Sequence, residues 1–151
     1  MLRPIFFGVH LAMIAAIHPY IRKIMEGELA APPISTTLGN RIVLVDIEAG
    51  RIECEYQGLP AFANPAGQVQ GGMLAAMLDD VTALLCMASL REDKHCATLS
   101  LNVSFLRPGK AGLITGRASL VRQGSRVVNV EGELWQDDKL LATATAVNLV
   151  A

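Results

Sequence analysis

Residues 71–90 read GGMLAAMLDDVTALLCMASL, and this stretch decides the fold. Residues 73–90 are apolar nearly all round, interrupted by Asp79, Asp80, Thr82 and Ser89. A helix apolar on every face is buried in a protein core or in a bilayer. Adjacent aspartates at its middle argue against the bilayer, where ionised side chains are costly. The pattern therefore predicts a core helix. Gly71 and Gly72 at its start carry no side chain to shield the first backbone N–H groups, so a ligand can approach them closely.

Downstream, residues 91–95 form a polar loop, and the period then changes from that of a helix to that of strands. Residues 98–105 alternate strictly, with Leu99, Leu101, Val103 and Phe105 on one face and Thr98, Ser100, Asn102 and Ser104 on the other. Pro108-Gly109 ends that strand. Residues 113–121, 127–135 and 140–150 also read as strands, with turns at Gln123-Gly124-Ser125 and Asp137-Asp138. Upstream, residues 41–46 and 51–56 form a hairpin around Ala49-Gly50, and residues 58–70 are irregular. Short turns imply antiparallel pairing. One long apolar helix among about five antiparallel strands predicts an α+β arrangement, a sheet curled around the helix.

A chain of 151 residues fits one domain. With 52% apolar residues and a positive mean hydropathy, it can bury enough surface to exclude disorder. Aromatic residues are 5% of the chain, so the core is built from aliphatic side chains. Thirteen Lys and Arg against 14 Asp and Glu give a formal net charge of −1, without the basic footprint of a nucleic-acid binder. Cys54, Cys86 and Cys96 lack metal-ligand spacing and read as packing residues in a reducing, cytoplasmic setting.

Residues 6–17 are apolar apart from His10, with Arg3 before them and Arg22 after. They are too short to span a membrane, which takes about 20 residues. As an export signal they have a thin basic region, and Ile14-Ala15-Ala16 makes a poor cleavage site. The expectation is a helix packed on the domain or its partner and broken near Pro19. Gly27, Pro32-Pro33 and Ser35-Thr36-Thr37 mark residues 26–37 as a joining loop. The chain thus divides into an N-terminal helical segment, residues 1–25, and a single domain, residues 26–151.

Asp79 carries the chemical interest. It follows Gly71 by eight residues, which returns it to within about 80° of the Gly71 face. Burying a carboxylate unpaired costs several kcal/mol, so its presence needs a reason. The residues alone leave two open: a functional role, or a structural ion pair with Arg107, Arg117 or Arg122. Asp80 points about 100° away and reads as solvated or paired. Bare N–H groups and the positive end of the helix dipole suit an oxygen that becomes negative during a reaction.

Residues 64–80, beginning Asn64-Pro65-Ala66-Gly67-Gln68-Val69-Gln70-Gly71-Gly72, and then residues 98–108, ending Arg107-Pro108, resemble the hot-dog-fold thioesterases. The nearest pattern is the PaaI-like branch of the 4-hydroxybenzoyl-CoA thioesterase superfamily. Gly27, Pro32-Pro33, Leu38-Gly39 and the turn from Arg122 to Arg126 extend the similarity over most of the chain after about Met25. The resemblance implies an acyl-CoA thioesterase with a sheet wrapped around a central helix. It assigns Asp79 as general base or nucleophile, Gly71 N–H as the group polarising the carbonyl, and Asn64 and Thr98 as residues placing substrate or water. Gln70 and Gly72 then border the substrate. Arg107, Arg122 and Arg126 sit at strand ends, where they could hold the phosphates of CoA. The resemblance further implies a homodimer or homotetramer with sites between subunits and no cofactor beyond the CoA of the substrate; from spacing, charge and segment length, no metal and no nucleic-acid or membrane partner is expected.

The pattern departs at Gln70, where the family usually has His. An amide exchanges hydrogen bonds but cannot shuttle a proton near neutrality. That leaves a non-catalytic acyl-CoA-binding module as an alternative, and a hot-dog hydratase or dehydratase as a weaker one, because those place a catalytic His beside an acid. His10, His18 and His95 lie outside the motif. The alternation also sets Thr98 opposite Leu99, so Thr98 reaches the site only across a subunit boundary or through an irregular strand start.

Overall fold

The structure is a computed structural model that describes residues 16–151. The helix expected over residues 6–17 falls almost wholly outside them. Pro19 opens a helix, α1 (Pro19–Met25), where the sequence reading had it breaking one. Proline is well placed at a first helical position, since its missing N–H is one that has no intrahelical partner. The His18 side chain caps α1, its Nδ1 accepting from the Tyr20 N–H at 3.1 Å. The expected loop over residues 26–37 likewise contains a short helix, α2 (Pro33–Thr37), again begun by a proline.

The body is a six-stranded antiparallel sheet rather than one of about five: β1 (Arg41–Asp46), β2 (Arg51–Gly58), β3 (Cys96–Phe105), β4 (Gly112–Gln123), β5 (Val127–Gln136) and β6 (Lys139–Val150). Their order is β1-β2-β4-β5-β6-β3, which puts β1 and β3 at the edges. A two-residue turn sets the register between β5 and β6. Asp137 and Asp138 both take positive φ (49° and 60°), the mirror-image turn that matches the strand twist between Gln136 and Lys139.

The long helix, α3 (Gly71–Ala88), lies in the hollow of the sheet against β2 to β6. Leu74, Met77, Leu78, Val81, Thr82 and Leu85 recur at helical spacing and are all buried. By length and composition α3 could cross a membrane, but its place in the fold is that of a core helix. Beneath it the sheet is floored by small residues: Gly116, Ala118, Gly132, Ala142, Ala144 and Ala146. A Cβ on Gly132 would come within 2.8 Å of Thr82 Cγ2, and one on Gly116 within 2.6 Å of Tyr56 Cε2.

One irregularity changes a side-chain assignment. The β3–β6 ladder pairs Thr98 with Asn148 and Ser100 with Val147, so Leu99 is an extra residue forming a bulge. Strict alternation placed Leu99 inward and Thr98 outward. The bulge reverses both: Thr98 faces α3 together with Leu101 and Val103, and Leu99 is 60% exposed.

The floor makes a test of the packing. Replacing a strand glycine by alanine usually helps on entropy alone. Gly132→Ala should instead destabilise the fold by about 1–3 kcal/mol, the usual cost of overpacking. Urea denaturation of the two proteins measures the difference.

Candidate active site

The start of α3 is positioned by the irregular segment before it. Asn64 Oδ1 accepts from the Ala66 and Gln68 N–H groups at 2.9 and 3.1 Å, folding that segment back on itself. The Val69 N–H then donates to Gly109 O and the Gln70 N–H to Phe62 O. Gln70 is the N-cap residue but makes no side-chain cap. Among the described residues, the Gly71 and Gly72 N–H groups find no acceptor, as the first turn of a helix requires. The Phe105 ring lies over Gly71, where a Cβ would meet it at 3.3 Å. A cleft of about 480 Å³ here is lined by Asn64, Gly71, Leu74, Phe105 and Arg107, among others.

Two turns further along α3, Asp79 lines a separate cleft of about 400 Å³ with Gly72, Ala75, Ala76, Thr98, Leu99 and Leu101. Its Oδ1 accepts from the Thr98 hydroxyl at 2.9 Å. The ion pair considered for Asp79 is not formed. Arg117 pairs with Glu53 at 2.9 Å, Arg107 donates to Leu140 O, and Arg122 is exposed. Asp79 is thus a half-buried carboxylate beside an open cleft, held by a neutral donor.

The expected constellation is therefore divided within one chain. Asn64, Gly71 and Arg107 line one cleft; Asp79, Thr98 and Gly72 line the other; no residue lines both. Eight residues of helix separate Gly71 from Asp79 by about 12 Å along the axis, too far for both to touch one carbonyl. Gln70 is exposed and borders neither cleft. Arg122 and Arg126 are exposed near the end of the sheet where β3 begins, because Val150 pairs with Cys96 and its N–H donates to Arg126 O.

Two features escaped the sequence reading. Asn148, fully buried on β6, faces Thr98, with its Oδ1 3.3 Å from the Thr98 hydroxyl. Its signal was available: it occupies an inward position in the series Ala142, Ala144, Ala146, where an amide needs a partner. Asp80 is largely buried and forms no ion pair among the described residues. Its Oδ1 accepts from Ser35, and its Oδ2 from Asn40 and Tyr56, each at 2.9 Å. Burial pushes the Asp80 carboxyl above the ordinary carboxylate value, the adjacent Asp79 adds to this, and the three donors act against it. The Cys54 thiol beside this cluster is pushed up to about 12, chiefly by burial, as befits a packing residue.

Comparison with known proteins fits this geometry to a family. Residues 66–143 match the Thioesterase superfamily. A medium/long-chain acyl-CoA thioesterase of Salmonella typhimurium is 33% identical over 96 residues, 54% of this chain and 62% of the relative. Its Escherichia coli K12 counterpart is 27% identical over 132 residues, 78% of this chain and 85% of that one. Among solved structures, a phenylacetic acid degradation-related protein from Ralstonia eutropha JMP134 is 55% identical, with a TM-score of 0.85 over 86% of this chain and 98% of its own. The PaaI protein of E. coli, at 20% identity and a TM-score of 0.76 over 88% of this chain and 94% of its own, shares the fold. The chain belongs to the thioesterase superfamily, and its sheet wrapped around α3 is the hot-dog fold. It is a thioester hydrolase of that superfamily.

The raised Asp80 carboxyl has a signed consequence. Protonated in both states well below about pH 3.9, it costs nothing there; as pH rises above that value the unfolded chain ionises while the buried folded carboxyl keeps its proton, and stability falls until pH has passed the raised folded value. Measured against Asp80→Asn, in which this group cannot titrate, the native protein should therefore lose relative stability as pH rises from about 4 toward neutrality, the loss ending once the raised folded value is passed. Urea midpoints for both proteins across that range test it, and a constant gap would contradict it.

Proposed function

We propose that this thioester hydrolase cleaves acyl-CoA esters in a site completed by two subunits. The observation that carries the reading is Asp79, held by Thr98 on one oxygen and open to a cleft on the other side, with no cation among the described residues to neutralise it. The names of the Salmonella and E. coli relatives support acyl-CoA as the substrate class. Apolar walls from Ala75, Ala76, Leu99 and Leu101 suit the acyl group.

The separation of the two clefts supports a composite site. β3 is an edge strand carrying exposed apolar side chains at Leu99 and Phe105, with exposed Leu106 just beyond its end. Such an edge is a template for pairing with another strand. Antiparallel pairing of two β3 strands about a two-fold axis near Leu101-Asn102 sets Thr98 opposite the partner's Phe105. That juxtaposes the Asp79 cleft of one subunit with the Gly71 and Asn64 cleft of the other. Arg122 and Arg126 of one subunit then approach Arg107 of its partner, a group of cations suited to the phosphates of CoA. We infer a homodimer as the smallest active unit, with a homotetramer compatible with the remaining exposed apolar positions. The free thiols of Cys54, Cys86 and Cys96 favour a cytoplasmic setting.

In the proposed mechanism the Gly71 N–H, at the positive end of α3, polarises the thioester carbonyl and stabilises the developing oxyanion. Asp79 acts either as general base on a water or as direct nucleophile, and Thr98 and Asn64 orient the reacting groups. The leaving thiol, with an ordinary pKa near 8.5, needs little help from an acid. This accommodates Gln70 in place of a titrating His, and the proposed chemistry needs no group beyond the CoA already in the substrate.

Asp79→Asn should lower kcat on a panel of acyl-CoA esters by about two orders of magnitude or more while leaving the fold intact, as read by thiol release and circular dichroism. Binding of acyl-CoA by the native protein without thiol release would instead establish a binding module. Co-refolding Asp79→Asn with Asn64→Ala should recover about a quarter of native activity, because half the dimers then hold one intact composite site. Recovery would be absent if each site lay within a single chain.

A further inference from the structure

Asn148 presents a hydrogen-bonding problem at the centre of the site. Its side chain is fully buried between β3 and β5, facing Thr98 on one side and paired with Val128 on the other. Its Oδ1 stands 3.3 Å from Thr98 Oγ1, which is itself 2.9 Å from Asp79 Oδ1. A threonine hydroxyl has one proton and cannot donate to both acceptors. At the same time Asn148 Nδ2, a donor with two protons, has no partner among the described residues although it is wholly buried. An orphaned buried donor is among the costlier faults a folded chain can carry.

Both faults are relieved together if the carboxamide is turned over. Its two ends are nearly isosteric, so the packing is unchanged. Nδ2 then donates to Thr98 Oγ1, and the Thr98 proton is committed to Asp79 Oδ1. The buried oxygen left at the other end is an acceptor, which folded chains leave unpaired more readily than an N–H.

We infer that Asn148 is a positioning residue for hydrolysis, donating to Thr98 so that the Thr98 hydroxyl donates in one fixed direction to Asp79. The chain of donors runs from Asn148 through Thr98 to Asp79. It pins Asp79 Oδ1 and leaves Oδ2 as the oxygen presented to water or to the thioester carbon. An Asp79 free to rotate would present either oxygen at varied angles, and misplacement of a reacting group costs rate. The strand bulge at Leu99 serves the same end, since it turns Thr98 inward to meet both neighbours. This inference rests on the reading of Asp79 as the reacting carboxylate.

The test pairs kinetics with a probe independent of activity. Asn148→Leu removes the donors with a side chain of similar shape, and Asn148→Val serves if the leucine variant does not fold. The expected result is a fall of about tenfold in kcat on an acyl-CoA ester with KM unchanged. The same substitution made in Thr98→Val should cost nothing further, because Asn148 acts through the missing hydroxyl. Independent, multiplying losses, or a change confined to KM, would overturn the assignment. In the native protein, the side-chain NH2 resonances of Asn148 should shift when Thr98 is changed to Val. Unmoved resonances mean that Oδ1 faces the hydroxyl and sink the inference. If the native protein hydrolyses no acyl-CoA and the resonances still shift, the orientation stands while the functional reading of Asp79 falls.

Discussion

An apolar helix can lie close in the hollow of a sheet only where the strands directly beneath it carry small residues at the contact. In this chain β4, β5 and β6 supply that floor through Gly116, Ala118, Gly132, Ala142, Ala144 and Ala146, with methyl-sized gaps at most between Thr82 and the Gly132 backbone. Close approach lets Leu74, Met77, Leu78, Val81 and Leu85 bury completely or nearly so, and burial of that apolar surface is the main favourable term in folding. The same contact fixes the height and rotation of α3. Everything chemical in the protein is mounted on that helix or measured from it.

Fixing the helix separates its two functional ends. Gly71 emerges at one end of β3, beneath Phe105, while Asp79 emerges near the other, beside Thr98. A rigid helix cannot bend them together, because its rise is set by backbone hydrogen bonds. The edge position of β3, with Leu99, Phe105 and Leu106 exposed, offers the geometric route by which the two clefts become one.

Asp79 and Asp80 show how far neighbouring identical residues can diverge. The 100° step between them turns one carboxylate to the open side of α3 and the other toward α2 and β2. Asp80 is surrounded by neutral donors from Ser35, Asn40 and Tyr56 and serves to tie these elements to the core helix. Asp79 meets one hydroxyl and otherwise faces a cleft. No local feature of the Asp-Asp pair distinguishes these fates; they follow from what the sheet brings to each side.

The sequence by itself determined the elements and their kind. A helix apolar on every face, strands of period two and turn residues at their ends are local properties, and they gave the α+β arrangement of a sheet curled around a helix, the antiparallel pairing and the bare N–H groups at Gly71 and Gly72. The motif from Asn64 to Pro108 was also legible, as a string of residue types at fixed spacing. What only the tertiary structure decided was which side chains meet. The bulge at Leu99 turned Thr98 inward against strict alternation, since register depends on the partner strand β6 rather than on β3 alone. The partition of Asn64 and Gly71 from Asp79 and Thr98 needed the helix laid against the sheet. Asn148 lies 50 residues from Thr98 in the chain, and the contact between them exists only because β3 and β6 are neighbours in the sheet.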